Sequence, residues 1–289
     1  MAINFCKFHG FGNDYIIFEA EELKDVSDAL DFAARVCNRN TGIGGDGIAV
    51  LEKLLNEPAD YSCRIINSDG SEASFSGNGT RCAVAYLYYK KLWDARNLRL
   101  QTISGLKNYE LLKQENLTYW FRAELGKPKF ELPKSPLSET IRIDANSFSL
   151  VLPEIGGICG LFFVDVGNPV VCVFVEDFEA WNWRKIGRAI ERATEVFPER
   201  TNVTFVKTID AENIGIRIWE RGAGETSSSG TCSIAAAVAH LQRENLRGQV
   251  SVHAVGGMTE AVWREDGEML ITGRADLAFC GEYLAEARA

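Results

Sequence analysis

Histidine is scarce in this chain of 289 residues. His9, His240 and His253 lie far apart, and none has the spacing of a zinc-ligand pair. No C-x-x-C pair occurs, so no metal is expected. No apolar run approaches the roughly 18 residues needed to span a bilayer, so no membrane partner is expected. Positive charge is in deficit, with a net charge of −9, which argues against a broad nucleic-acid surface. The start MAINFCKFHG lacks the basic and apolar regions of a secretion signal, so a cytoplasmic protein is the expectation. Eight cysteines (6, 37, 63, 82, 159, 172, 232 and 280) are then expected to be reduced and mostly buried rather than bridged.

With 46% hydrophobic and 25% charged residues the composition is that of an ordinary globular protein. Its organisation is repetitive. GNDYIIF at 12–18 resembles GNPVVCVFV at 167–175, a Gly-Asn turn leading into an apolar strand. SFSGNGTRCAVAYL at 74–87 resembles SSSGTCSIAAAVAHL at 227–241, a Ser-Gly turn leading into a small-residue helix. Ser76 and Ser229 are 153 positions apart, and each follows a strand-like segment, SCRIIN or IGIRIWE. Asn67 and Glu220 each stand nine residues ahead of their serine.

Strand signals recur in RIINSD, NLRLQTIS, LTYWFRAEL, SFSLVLP, LFFVDVG, VVCVFVE, NVTFVKT, IGIRIWE and SVHAVG. Helical patterns cover 26–39, 183–197 and the stretches after Ser76 and Ser229. Many strands and few helices imply an α+β protein of two pseudo-repeated domains. GKPKFELPKSP at 126–136 holds three of the seven prolines and marks the boundary. The expected domains are 1–125 plus about 272–289, and 126–271, with ITGRADLAFCGEYL returning as a strand to the first.

A serine at a glycine-rich turn opening a helix has four readings. It is an N-cap, a phosphate-loop residue, a hydrolase nucleophile, or a marker of an acid–base group facing a ligand at the helix N-terminus. The phosphate-loop lysine is absent, and so is G-x-S-x-G. Two matching turns in two repeats suggest two helix N-termini serving one anionic ligand.

The segments KFHGFGNDY (7–15), GIGGDG (42–47), NSDGSEASFSGNGTRC (67–82), GNP (167–169), TN (201–202), WERGAGETSSSGT (219–231) and VGGMTEAVWREDGEMLITGRA (255–275) occur in the order of the diaminopimelate epimerase family. The chain resembles that family over almost its whole length. The resemblance implies two similar domains with a substrate cleft between them, a homodimer, and inversion of an amino-acid α-carbon without cofactor or metal. The family does this with two cysteines, one removing the proton and the other delivering one. A thiol suits both roles, because a helix N-terminus lowers its pKa from about 8.5 until both protonation states are accessible.

By that resemblance Asn13, Asn67, Asn168, Asn202, Glu220 and Arg221 grip the substrate's polar ends, and Gly77, Asn78, Gly230 and Thr231 hold its α-carboxylate. Glu220 and Arg221 together would read an α-amino and α-carboxylate group. At the two catalytic cysteine positions this chain has Ser76 and Ser229. Val170 stands where the family has a histidine, Cys232 where it has a glycine, and Arg274 where it has a proline. Divergence accounts for these changes together, whereas an engineered Cys→Ser pair accounts only for the serines. The readings are an epimerase, an isomerase or dehydratase of another substrate on the same fold, and a silent amino-acid binder. Cys82 is expected in the core, His9 as a packed or capping residue, and Cys232 as a small buried residue.

Overall fold

The computed structural model describes residues 2–55, 58–133, 141–142 and 147–284. The chain divides into two compact units, Met1–Glu124 with Thr272–Ala289, and Leu125–Ile271. Part of the proline-rich segment 126–136, from position 134, lies outside the described residues, as do 285–289.

In the first unit the hairpin Ala2–Gly10 and Asn13–Glu19 is followed by α1 (Ala29–Val36), and Gly47–Lys53 then runs parallel to Asn13–Glu19. Tyr61–Asn67 returns antiparallel to Gly47–Lys53 and leads through Glu72–Ala73 into α2 (Gly77–Tyr89). Asn97–Thr102 then lies parallel to Tyr61–Asn67, followed by the antiparallel strands Gly105–Glu115 and Thr118–Gly126. The long strand Met269–Leu284 pairs with both Thr118–Gly126 and Ala2–Gly10, closing the ring of strands. That closure removes the exposed edges an open sheet would leave.

The second unit repeats this order. Gly156–Asp165 and Pro169–Phe174 form a hairpin, α3 (Trp183–Glu191) follows, and Asn202–Thr208 runs parallel to Pro169–Phe174. Asn213–Glu220 returns antiparallel, Gly224–Thr226 follows, and α4 (Gly230–Arg243) precedes Gly248–Ala254, which is parallel to Asn213–Glu220. Gly257–Trp263 completes the unit beside Gly248–Ala254. The α+β repeat read from the sequence is therefore the architecture of the molecule.

Both α2 and α4 are buried around nearly their whole circumference, over Gly77–Leu87 and Gly230–Leu241. Only alanine, glycine and other small side chains let a helix sit so close to strands on several sides. Each unit thus presents its buried helix N-terminus at a turn that follows a strand end.

Helix α1 starts where Asp28 accepts from the Leu30 and Asp31 N–H groups, at 2.9 and 3.1 Å. The helical pattern at 183–197 is longer than the helix it forms. The chain leaves α3 after Glu191 and folds back so that Arg200 pairs with the buried Glu191 carboxylate.

One expectation about the cysteines is corrected. Cys6 and Cys280 face each other across the antiparallel strands Ala2–Gly10 and Met269–Leu284 and form a disulfide, with Cα atoms 4.0 Å apart. Strand closure brings together two residues that sequence separation hides. Cys159 is free but exposed, while Cys37, Cys63, Cys82, Cys172 and Cys232 are free and buried.

Candidate active site

The first unit's half-site is built on the strand Asn13–Glu19 and the start of α2. Ser76 caps α2 in extended conformation (φ −135°, ψ 119°), its Oγ accepting from Gly79 N–H at 3.1 Å. The Thr80 hydroxyl donates to Ser76 O at 2.6 Å and shares a 2.6 Å hydrogen bond with Tyr109, pinning the turn. The leading N–H groups of a helix have no intrahelical acceptor, so Gly77 and Asn78 present an anion-favouring terminus. No acidic residue occupies this first turn.

A chain of directed hydrogen bonds orients the asparagines. The fully buried Arg81 donates to Asn78 Oδ1 at 2.9 Å, and Asn78 Nδ2 donates to Asn13 Oδ1 at 3.2 Å. Asn13 Nδ2 in turn donates to Asp46 Oδ2 at 2.7 Å. Arg81 packs against Gly273, where an added Cβ would sit 2.7 Å from its Cζ, and burial lowers its pKa. Beside this chain, Asp14 holds Arg39 at 2.7 and 3.0 Å and Lys7 at 2.7 Å. Burial opposes the Asp14 charge, but these two cations hold its carboxyl at about 2. The Asp46 carboxyl is shifted the other way, chiefly by burial. Asn67 ends its strand half-buried, Nδ2 donating to Ser71 Oγ at 3.0 Å.

The second half-site is centred on Arg221. Its Nη1 donates to Glu199 O at 2.6 Å and its Nη2 to Asn168 Oδ1 at 3.2 Å, while its backbone N–H donates to Asn202 Oδ1 at 2.9 Å. Among the described residues no carboxylate forms an ion pair with this guanidinium, and burial lowers its pKa. The Nδ2 of Asn202 is buried with no partner among the described residues. Glu199 acts on this guanidinium only at longer range, and a cation with no ion-paired carboxylate among the described residues, beside an unsatisfied amide donor, can take up a carboxylate.

Glu220 does not close onto Arg221. It accepts from the Thr226 hydroxyl at 2.7 Å. The turn that follows is held by Glu191, which accepts from Gly222 N–H at 3.2 Å and also pairs with Arg200.

Ser229 caps α4 as Ser76 caps α2, with φ −148° and ψ 124°. Its Oγ lies 3.3 Å from Thr231 Oγ1 and 3.5 Å from the Cys232 N. Burial, followed by the charge of Glu220, pushes the Cys232 thiol well above its ordinary pKa. Gly230 and Thr231 form the first turn. Val170 is fully buried, in register with Asn202 on the neighbouring parallel strand, and supplies no ionisable group.

The structure gathers Asn13, Ser76, Gly77 and Asn78 in one unit, with Asn67 ending a strand of that same unit. In the other it gathers Asn168, Asn202, Arg221, Ser229, Gly230 and Thr231, with Glu220 at the adjoining strand end. Sequence reasoning missed Tyr15, Asp46 and Arg81. All three lie inside the quoted motifs, yet their partners are set by folding. His9, expected as a packed or capping residue, is half-buried, with its Nδ1 buried 3.8 Å from Asp276. Among the described residues no cluster of His, Cys, Asp or Glu is arranged to hold a metal.

The molecule is thus two repeated α+β units, each carrying a serine-capped buried helix beside oriented amides. Solved structures share the fold: a phenazine biosynthesis protein of the PhzF family from Bacillus anthracis (18% identity, TM-score 0.67, 99% and 100% of the two chains). A hydroxyproline epimerase from Agrobacterium vitis is similarly related (13% identity, TM-score 0.69, 98% and 91%). The diaminopimelate epimerase family model matches residues 5–131 and 162–278, and the chain belongs to that family. Diaminopimelate epimerases of Caldanaerobacter subterraneus and Pelotomaculum thermopropionicum are each 35% identical to it, covering 97% of this chain and 99% of theirs.

Proposed function

We propose that the protein is a cofactor-independent amino-acid epimerase that interconverts LL- and meso-diaminopimelate, in lysine and peptidoglycan-precursor synthesis. The carrying observation is Arg221, a guanidinium with no ion-paired carboxylate among the described residues, flanked by Asn168 and the unsatisfied Nδ2 of Asn202. A substrate with a second carboxylate, remote from the reacting carbon, is the ligand such a receptor selects. The serine-capped helix termini at Gly77–Asn78 and Gly230–Thr231 offer matching sites for the α-carboxylate. Whole-length similarity to diaminopimelate epimerases supports the same reading.

In this reading Ser76 and Ser229 occupy the positions that exchange the α-proton. We place the enzyme in the cytoplasm as a homodimer, by analogy with the family; no helix among the described residues is long and apolar enough to cross a membrane.

A second reading is favoured by one specific observation. Hydroxyls stand where thiols are needed, and buried Val170 provides no imidazole, so the chain is alternatively a binder that retains the grip without the acid–base pair. Incubation with LL- and meso-diaminopimelate in D₂O, followed by NMR, separates the two. Stereoinversion with deuterium entering at the α-carbon supports the epimerase. Binding without exchange overturns it and supports the binder, in which case Ser76→Cys, Ser229→Cys and Val170→His together should raise exchange.

A further inference from the structure

The Ser76 hydroxyl does not stand alone. Its Oγ shares a 2.9 Å hydrogen bond with the phenol of Tyr15, which lies 61 residues earlier and two positions beyond Asn13. Tyr15 is 5% exposed, whereas Ser76 at the mouth of the turn is half-buried. The phenol thus sits behind the hydroxyl.

The contact is held by shape. An added Cβ on Gly79, in the first turn of α2, would lie 2.9 Å from Tyr15 Cε1. One on Gly47, in the adjoining strand, would also lie 2.9 Å from that atom and 2.7 Å from the Ile66 carbonyl oxygen. The ring occupies space that two missing side chains leave, so its hydroxyl has little freedom to swing from Ser76. The Gly79 N–H, donating to the same Oγ, fixes the serine rotamer from the other side.

The chemical need is plain. A serine hydroxyl alone is a far weaker acid than a thiol, so its alkoxide is hardly populated near neutrality. A phenol, with an ordinary pKa of about 10, is much closer to that range. Two hydroxyls in contact can pass protons in a chain, and the terminal partner then sets how readily charge is carried.

We propose that Tyr15 is a positioning residue for proton transfer, acting through Ser76 in a Ser76–Tyr15 relay. The inference rests on the epimerase reading above. In the base direction Tyr15 enters as the phenolate, having given its proton to solvent water; the Cα–H bond of the substrate breaks and its electron pair stays on the substrate. That proton goes to Ser76 Oγ, whose own proton passes to the Tyr15 oxygen. In the acid direction Ser76 gives its proton to the substrate carbanion and is refilled from the Tyr15 phenol. Neither direction consumes an oxidant or a reductant.

The test uses Tyr15→Phe, which keeps the ring between Gly47 and Gly79 and removes only the hydroxyl. The full-length protein is assayed for α-deuterium exchange of diaminopimelate in D₂O, with Kd from calorimetry and Tm as a check on folding. Tyr15→Phe is expected to slow exchange about 100-fold, at the lower end of acid–base contributions, with Kd changed less than about twofold. Adding Ser76→Cys to Tyr15→Phe should restore exchange to within about tenfold of the parent, because a thiol needs no phenol behind it. Retention of exchange within about threefold in Tyr15→Phe overturns the relay and leaves the epimerase reading standing. Equal loss in Tyr15→Phe and in the double variant, with binding intact, also overturns it. No exchange in the parent protein, with ligand bound, overturns both.

Discussion

The two helix turns are the same device built twice, with different chemistry behind each. Ser76 and Ser229 cap α2 and α4 in nearly the same extended conformation, and both follow a strand that ends nine residues earlier. Behind Ser76 lies a phenol held between glycines. Behind Ser229 lies the Cys232 thiol, which burial and the nearby Glu220 charge keep protonated. A helix N-terminus provides one condition for proton transfer, namely a place for the substrate's carboxylate. The group behind the cap decides whether a proton can move. The two turns share the first and differ in the second.

The sharpest way to break this contrast is to place a thiol at each turn separately. Ser229→Cys should speed α-proton exchange on the order of 100-fold, since a positioned acid–base group contributes about that much. Ser76→Cys should gain only about tenfold, because its hydroxyl already has the phenol. Single-turnover exchange in D₂O measures both, and a larger gain at 76 would reverse the assignment of the stronger half.

Next in size is Gly79→Ala. The new methyl would press on Tyr15 and on Ile65 Cδ1 at 3.0 Å, so a loss of about 1–3 kcal/mol in unfolding free energy is expected, together with slower exchange. Denaturant titration reads the first effect, and unchanged stability would show that the ring is not clamped.

Cys232→Ala sharpens the comparison from the other side. A thiol this firmly protonated carries little charge, so exchange should change by less than about threefold. Its steady-state rate checks that, and a loss matching Tyr15→Phe would make the two turns equivalent.

The smallest effect concerns acid stability. The Asp14 carboxyl lies at about 2 in the fold against an ordinary value of about 3.9. A depressed carboxyl contributes stability above its ordinary pKa and loses it as pH falls from about 4 toward 2. Asp46, raised chiefly by burial, works in the opposite sense. Thermal melts across that range should show a fall in Tm, and Asp14→Asn should flatten it.

Much of this was legible beforehand. The strand runs VVCVFV and NVTFVKT, the small-residue helices and the serine caps are local signals, and each formed where its pattern placed it. The 183–197 pattern overran its helix because the pairing of Glu191 with Arg200 is a tertiary event. The Cys6–Cys280 bridge was missed for the same reason, as were the hydrogen bonds from Arg81 through Asn78 and Asn13 to Asp46. The site residues could be named from motifs, but the direction in which each amide points depends on partners up to 65 residues away.

By itself the sequence determined the repeat, the α+β class, the family and the two serine-capped turns, because each is written in short-range pattern and order along the chain. Tertiary structure alone decided which group stands behind each serine, that Arg221 has no ion-paired carboxylate among the described residues, and that the last strand closes the first unit. Those outcomes follow from packing: close approach at Gly47, Gly79 and Gly273 places side chains far apart in sequence within hydrogen-bond or van der Waals distance. Proton transfer depends on ångström-scale contacts of that kind.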